Sequence, residues 1–320
     1  MSVAPSRGKV AVLNFSHDLS LERALLAEVG LELHPAQCDT EDEVIAAARD
    51  AVAIINVYAR ITARVAAHLE RCKVIVRPGV GYDMIDVAAC RARGIEVCYV
   101  PDYCTEEVAD HAVALLLALQ RRLLEYRDRT RARHWDPPLR PVHRLRIQTL
   151  GLLGFGRIGQ RFAAKMREIV GAVLAHDPIV PTEVFRRERV EPVSLEELFA
   201  RADILSLHAP LTPQTRHVIS AESIARMVRR PTIINVSRGG LIDTAALVEA
   251  LRTGAIAAAG LDVLETEPQI PQELVAMDNV LVTPHVAWYS EEAEEEDRRR
   301  TAEEIIRVVV RGEPPRNPVP

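Results

Sequence analysis

The chain has 320 residues, enough for two domains of ordinary size, each with its own core. With 48% apolar residues it has the composition of a soluble globular protein and not of a disordered one. A net charge of −5 leaves no electrostatic footprint for nucleic acid.

Strand-like and helix-like segments alternate nearly throughout, which predicts α/β architecture with parallel sheets. The first hundred residues predict strands at 10–15, 51–57, 74–77 and 95–97, with helical patterns at 20–29, 41–49, 62–70 and 85–93. This order resembles a small flavodoxin-like domain. A long helix is expected next, over 105–127, with Thr105 as its N-cap. Val108 stands where a capping box would need Glu or Gln, while Glu106 and Glu107 suit the positive end of the helix dipole. Residues 127–146 are rich in Arg and Pro, with Pro137, Pro138 and Pro141, and read as an irregular excursion.

The stretch from Thr149 to Gly159 is an apolar strand running into Gly154-x-Gly156-x-x-Gly159, followed by a helical pattern over 160–169. One glycine makes a tight turn, one lets backbone approach a pyrophosphate, and one lets helix pack on strand. The helix N-terminus then offers free N–H groups to phosphate. Residues 172–176 read as the next strand, closed by Asp177, 18 residues after Gly159. A carboxylate there accepts both ribose hydroxyls and repels a 2′-phosphate, which favours NAD over NADP.

Further strands are expected at 204–207, 232–236, 258–262 and 280–282, then a final helix over 291–311. Glu294, Glu295 and Glu296 each precede an arginine by four residues (Arg298, Arg299, Arg300), the pattern of a salt-bridged, solvated face. The nucleotide unit thus has a separate αβ block before it, and the last helix is expected to return to that block. The expected domains are 1–101 with 289–320, and 102–288, with hinges near 101–104 and 285–291. A cofactor and a small substrate would meet between them.

The five cysteines, at 38, 72, 90, 98 and 104, show no CxxC or metal-ligand spacing and read as reduced, buried thiols of a cytoplasmic protein. A short apolar run at 10–13 does not make a signal peptide, and the longest one, 112–119, is too short to cross a bilayer.

Three polar residues follow the nucleotide unit, each at the carboxyl end of an expected strand: Arg238, Glu267 and His285. That edge is where open α/β sheets bind ligands. Together they supply a cation for an anionic substrate, an acid/base, and a carboxylate to hold the imidazole.

The motifs Val76-Arg-Pro-Gly-Val-Gly-Tyr-Asp83, Glu107-Val-Ala-Asp110, Leu153-Gly-Phe-Gly-Arg-Ile-Gly159, Asn235-Val-Ser-Arg-Gly239, Leu261-Asp-Val263 with Glu267-Pro268, and Thr283-Pro-His285 occur in one order. In these the chain resembles the D-2-hydroxyacid dehydrogenase family over nearly its whole length. The resemblance implies a Rossmann-type NAD-binding domain plus a discontinuous flavodoxin-like substrate domain. It implies catalysis by Arg238, Glu267 and His285, with Arg77 and the Val80-Gly81 backbone on the substrate carboxylate. Gly154, Gly156, Arg157, Ile158, Gly159, Asp177, Pro210 and Thr212 would bind NAD, and Asp262 the nicotinamide carboxamide. The reaction implied is reduction of a 2-oxo acid to a D-2-hydroxy acid, with a homodimer as the assembly.

His285-Val-Ala-Trp-Tyr-Ser290 resembles the C-terminal binding protein branch. Three residues past His285, the Trp288 indole is expected either to lie over the substrate side chain as a broad apolar wall or to pack the hinge between domains. With no long C-terminal extension in the sequence, the chain is expected to differ from the multidomain phosphoglycerate dehydrogenases. Val80 and Glu294 stand where phosphite dehydrogenases carry extra cations, which argues against phosphite. Two alternatives stay open: an NADH-sensing corepressor or scaffold, and a reductase for phosphonate-bearing or sugar-derived 2-oxo acids that draws cations from residues 127–146.

Overall fold

Runs such as Val-Ile-Val-Arg and Ile-Leu-Ser-Leu are too short for stable helices and apolar on both faces. They therefore become strands of parallel sheets covered on both sides. A computed structural model describes residues 7–15, 18–136 and 141–320. The chain divides into two units, Met1–Tyr103 with Ser290–Pro320, and Cys104–Tyr289.

The first unit holds β1 (Gly8–Leu13), β2 (Leu31–Ala36), β3 (Ala53–Asn56), β4 (Val74–Arg77) and β5 (Glu96–Tyr99). All pairings are parallel, in the order β2-β1-β3-β4-β5. Strand β2 lies outside the expected pattern because Pro35 interrupts it; an edge strand tolerates a residue that cannot donate to the ladder. One face of the sheet packs Ala11, Ile54 and Ile75 with Val44 and Val65, and the other packs Val10, Val12 and Val76 with Ala302 and Ile305 of the final helix. The C-terminal segment pairs antiparallel with the β5 edge through Tyr99 N–H to Asn317 O and Val319 N–H to Val97 O. That blunts an open sheet edge.

The final helix runs Glu291–Ile305 and continues as a π-helical turn over Ile306–Val310. Its expected i,i+4 ladder is only partly formed. Arg300 pairs with Glu296 as expected and also with Asp102, but Arg298 turns inward to the buried carboxylate of Glu22. The helix also buries Asp297, Thr301 and Glu304, so it is not a wholly solvated face.

The second unit holds β6 (Thr149–Leu153), β7 (Ala172–His176), β8 (Glu191–Pro192), β9 (Ile204–Leu207), β10 (Thr232–Asn235), β11 (Ala258–Leu261) and β12 (Val280–Val282). They pair in parallel in the order β12-β11-β10-β9-β6-β7-β8. The winding direction reverses between β6 and β9, which opens a crevice at their carboxyl ends.

The single helix expected over 105–127 is two, Thr105–Gln120 and Leu123–Arg131, separated by Arg122 in the left-handed region at φ 52°. The N-cap is Cys104, whose side chain does not cap the helix, and not Thr105. Pro137 and Pro138 of the excursion lie outside the described residues. All five cysteines are buried and free, and burial pushes the Cys72 thiol up to about 12 and Cys90 to about 11. Among the described residues, no helix is long and apolar enough to cross a membrane.

Candidate active site

The crevice beside β6 is shaped by glycine. Gly154 has φ +92°, and a Cβ there would press into the backbone of His208 and Ala209 just beyond β9. A Cβ on Gly159 would strike Gly154 O, whereas one on Gly156 would meet nothing within 4 Å. Two glycines therefore close the turn, and the third leaves open space. The helix Arg157–Met166 starts there, with Gly156 as N-cap, so no cap side chain satisfies its first N–H groups. Arg157 is exposed and Ile158 half-buried at this start.

Asp177 ends β7 and is held by three backbone donors. Its Oδ2 accepts from Phe155 N–H at 2.8 Å, and its Oδ1 from Ile179 and Val180 N–H at 2.9 and 3.2 Å. The carboxylate is thereby fixed beside the glycine turn, with a lone pair on Oδ2 to spare for a ribose hydroxyl. Pro210 and Thr212 follow β9, where Thr215 Oγ1 donates to Pro210 O at 2.7 Å and closes the turn.

Past β10, β11 and β12, three loops converge. His285, held at φ +54°, places Nδ1 2.7 Å from Glu267 Oε2. Glu267 Oε1 accepts from Leu264 N–H at 2.8 Å, so both carboxylate oxygens are engaged. Burial opposes the charge of Glu267, but the hydrogen bond and charge of His285, the Leu264 amide and the nearby Arg238 together hold its carboxyl below the usual range. An ionised Glu267 has only acceptors, so Nδ1 of His285 carries the hydrogen and Nε2 is left for proton exchange. Arg238 donates from Nη1 to Ser237 O at 2.8 Å. The next residue, Gly239, is jammed against the peptide of Leu264 and Glu265, where any Cβ would collide. That contact locks the arginine loop onto the glutamate loop.

Asp262 lies beneath the same site and is 1% exposed. Its Oδ1 accepts from Thr283 Oγ1 at 2.6 Å and Val286 N–H at 3.0 Å, and its Oδ2 from Ala287 N–H at 2.9 Å. The carboxylate thus faces the His285 loop from below. Trp288 donates from Nε1 to His285 O at 3.0 Å, with its ring edge-on to Tyr289.

The family model for D-isomer specific 2-hydroxyacid dehydrogenases, NAD binding domain, matches residues 113–287. The chain belongs to this 2-hydroxyacid dehydrogenase family. It is 39% identical over 307 residues to a D-3-phosphoglycerate dehydrogenase of Methanocaldococcus jannaschii, covering 95% of this chain and 58% of that protein. It therefore spans little more than half the length of that relative. A hydroxypyruvate reductase of Thermotoga maritima is 37% identical over 258 residues, covering 80% of this chain and 82% of that protein. Among solved structures, a D-lactate dehydrogenase from Aquifex aeolicus, in complex with NAD and lactic acid, matches with a TM-score of 0.85 at 30% identity. The match covers 95% of this chain and 96% of that one.

Of the site residues expected from the sequence, this dehydrogenase fold brings Arg238, Glu267, His285, Asp262 and Trp288 to neighbouring loops of one unit. Arg77, Val80 and Gly81 belong to the other unit, at the carboxyl end of β4. Sequence reasoning missed His208, whose Nε2 lies 2.9 Å from Ser206 Oγ and whose ring packs on Phe162. Its Nδ1 is enclosed without a hydrogen-bond partner, and burial pushes the imidazole down to about 3. The signal was there: Ser206-x-His208 puts two polar side chains at the end of an otherwise apolar strand. Gly239 was also passed over, although its neighbour Arg238 was not.

Proposed function

We propose that the chain is an NAD-dependent oxidoreductase that reduces a 2-oxo acid to a D-2-hydroxy acid. The observation that carries this reading is the Glu267–His285 pair at 2.7 Å, with Arg238 near enough to act on Glu267, at the ligand-binding edge of the sheet. The glycine turn, the uncapped helix start and the fixed Asp177 carboxylate fit a dinucleotide.

NADH, when bound, supplies the hydride that reaches C2 of the substrate. His285 donates the Nε2 proton to the carbonyl oxygen as it gains charge, and Glu267 holds the ring in the tautomer that permits this. Arg238 holds the substrate's carboxylate and stabilises the developing oxyanion. By family resemblance alone, Arg77 and the Val80-Gly81 amides are further groups for a substrate carboxylate. Asp262 keeps the His285 loop in place; a direct contact with the carboxamide rests on family resemblance alone. Trp288, tied to the His285 carbonyl, walls the substrate side chain. The relatives above carry enzyme names, which supports an enzyme over a corepressor.

A homodimer is supported by the stretch after the helix Thr105–Gln120, where Leu123 is 54%, Trp135 91% and Ile147 73% exposed. Free, buried cysteines agree with a cytoplasmic setting. The test is NADH oxidation across a panel of 2-oxo acids. Turnover of at least one with D-stereochemistry in the product is expected. Tight NADH binding without turnover of any would favour the corepressor reading.

A further inference from the structure

The first unit contains a buried carboxylate that the mechanism above does not use. Asp297, in the second turn of the final helix, is 8% exposed, and its Oδ1 accepts the Gly79 N–H at 3.0 Å across 218 residues of sequence. Gly79 has φ +104°, and a Cβ there would collide with Arg77 Nη1 and come within 3.4 Å of the Tyr103 hydroxyl. Its carbonyl accepts Val100 N–H at 3.2 Å. Both backbone groups of Gly79 are therefore held, one by the final helix and one by the chain leaving β5. Among the described residues, the N–H groups of Val80 and Gly81 form no hydrogen bond.

Fixing the two peptide groups around Gly79 fixes the direction in which the next amides point, because each residue has only two soft dihedrals. A residue at φ +104° has few intrinsic restraints of its own, so an external one matters more here than in a strand. The final helix has other anchors. Arg298 already pairs with Glu22 at 2.9 Å, and Arg300 with Asp102 at 2.8 Å. A buried carboxylate is costly to enclose unless its contacts repay it, and the Gly79 N–H is one contact that a leucine could not make.

We infer that Asp297 is a positioning residue for substrate binding: through Gly79 it sets the orientation of the Val80 and Gly81 amides, without touching substrate itself. This rests on the reading that the loop at 77–81 takes the substrate carboxylate. Substrate affinity should then depend on the acceptor at position 297, while hydride and proton transfer should not.

The test compares Asp297→Leu and Asp297→Ala, which remove the acceptor, with Asp297→Asn, which keeps a carbonyl oxygen. KM and kcat are measured with the best 2-oxo acid of the panel, NADH affinity by fluorescence, and Tm by melting. The acceptor-free variants are expected to raise KM about tenfold or more with kcat within about threefold. NADH affinity should be unchanged, and Asp297→Asn should return KM to within about threefold of the parent. An unchanged KM in the acceptor-free variants that fold, or an Asn variant as impaired as they are, overturns the inference. Should neither Leu nor Ala fold, the Asn variant decides: parental KM and kcat support the inference, and a tenfold higher KM overturns it. Arg77→Ala separates the two claims. If it raises KM while Asp297→Leu does not, the loop binds substrate and only the positioning role fails; if neither moves KM, the loop reading itself fails.

Discussion

At the scale of single residues, the account depends on which atoms are left with nothing else to do. Glu267 has both oxygens engaged, by His285 and by the Leu264 amide, so its part is to hold and not to exchange a proton. Glu267→Gln keeps the shape but offers an amide where the fixed acceptor for Nδ1–H stood, so kcat should fall by about tenfold or more while NADH affinity is unchanged. Parental kcat in that variant would separate Glu267 from the catalytic group. Asp177 makes a second residue-scale prediction. Fixed by three backbone donors, it cannot swing aside for a 2′-phosphate. NADH should therefore exceed NADPH in kcat/KM by about tenfold or more, and Asp177→Ala should narrow that gap mainly by weakening NADH. Equal use of both cofactors by the parent enzyme would contradict the assignment.

At the scale of elements, what could be read from the sequence follows from where the information lies. The buried parallel strands were legible because Ile204–Leu207 and Val74–Arg77 have nothing but strand as an outlet for their apolar residues. The edge strand Leu31–Ala36 was not, since Pro35 erases the local signal and only its pairing with β1 restores it. The break at Arg122 was hidden too: an arginine in the left-handed region carries no mark in a run of good helix formers. In the final helix the charge pattern described the outer face, but the inward turn of Arg298 to Glu22 and the burial of Asp297 depend on the sheet it packs against. Arg238, Glu267 and His285 were legible individually; the locking of their loops through Gly239 was not.

The strand β9 and the turn after it also have a pH signature. His208 is held neutral in the fold, its imidazole pushed down to about 3 by burial, whereas in the unfolded chain it titrates near its ordinary value of about 6.5. The unfolded state then binds the extra proton. This contribution to stability is complete above about pH 6.5 and is lost as pH falls toward about 3. Tm should fall across that window, and His208→Gln should fall less steeply. Parallel Tm curves for the two proteins would mean that His208 is open to water.

At the scale of the whole molecule, the exposed Leu123, Trp135 and Ile147 call for a partner surface, and a second copy is the proposal. Light scattering should give a mass near twice 35.5 kDa, and Trp135→Asp should shift it toward the monomer. A monodisperse monomer of the parent protein would count against the dimer without touching the chemistry. The chemistry is tested most directly by His285→Gln, measured with the best 2-oxo acid while NADH binding is followed separately. Because His285 supplies a proton and not affinity, kcat should fall by roughly 10²–10⁴-fold while NADH affinity stays within about threefold of the parent. Parental turnover in that variant would contradict the account.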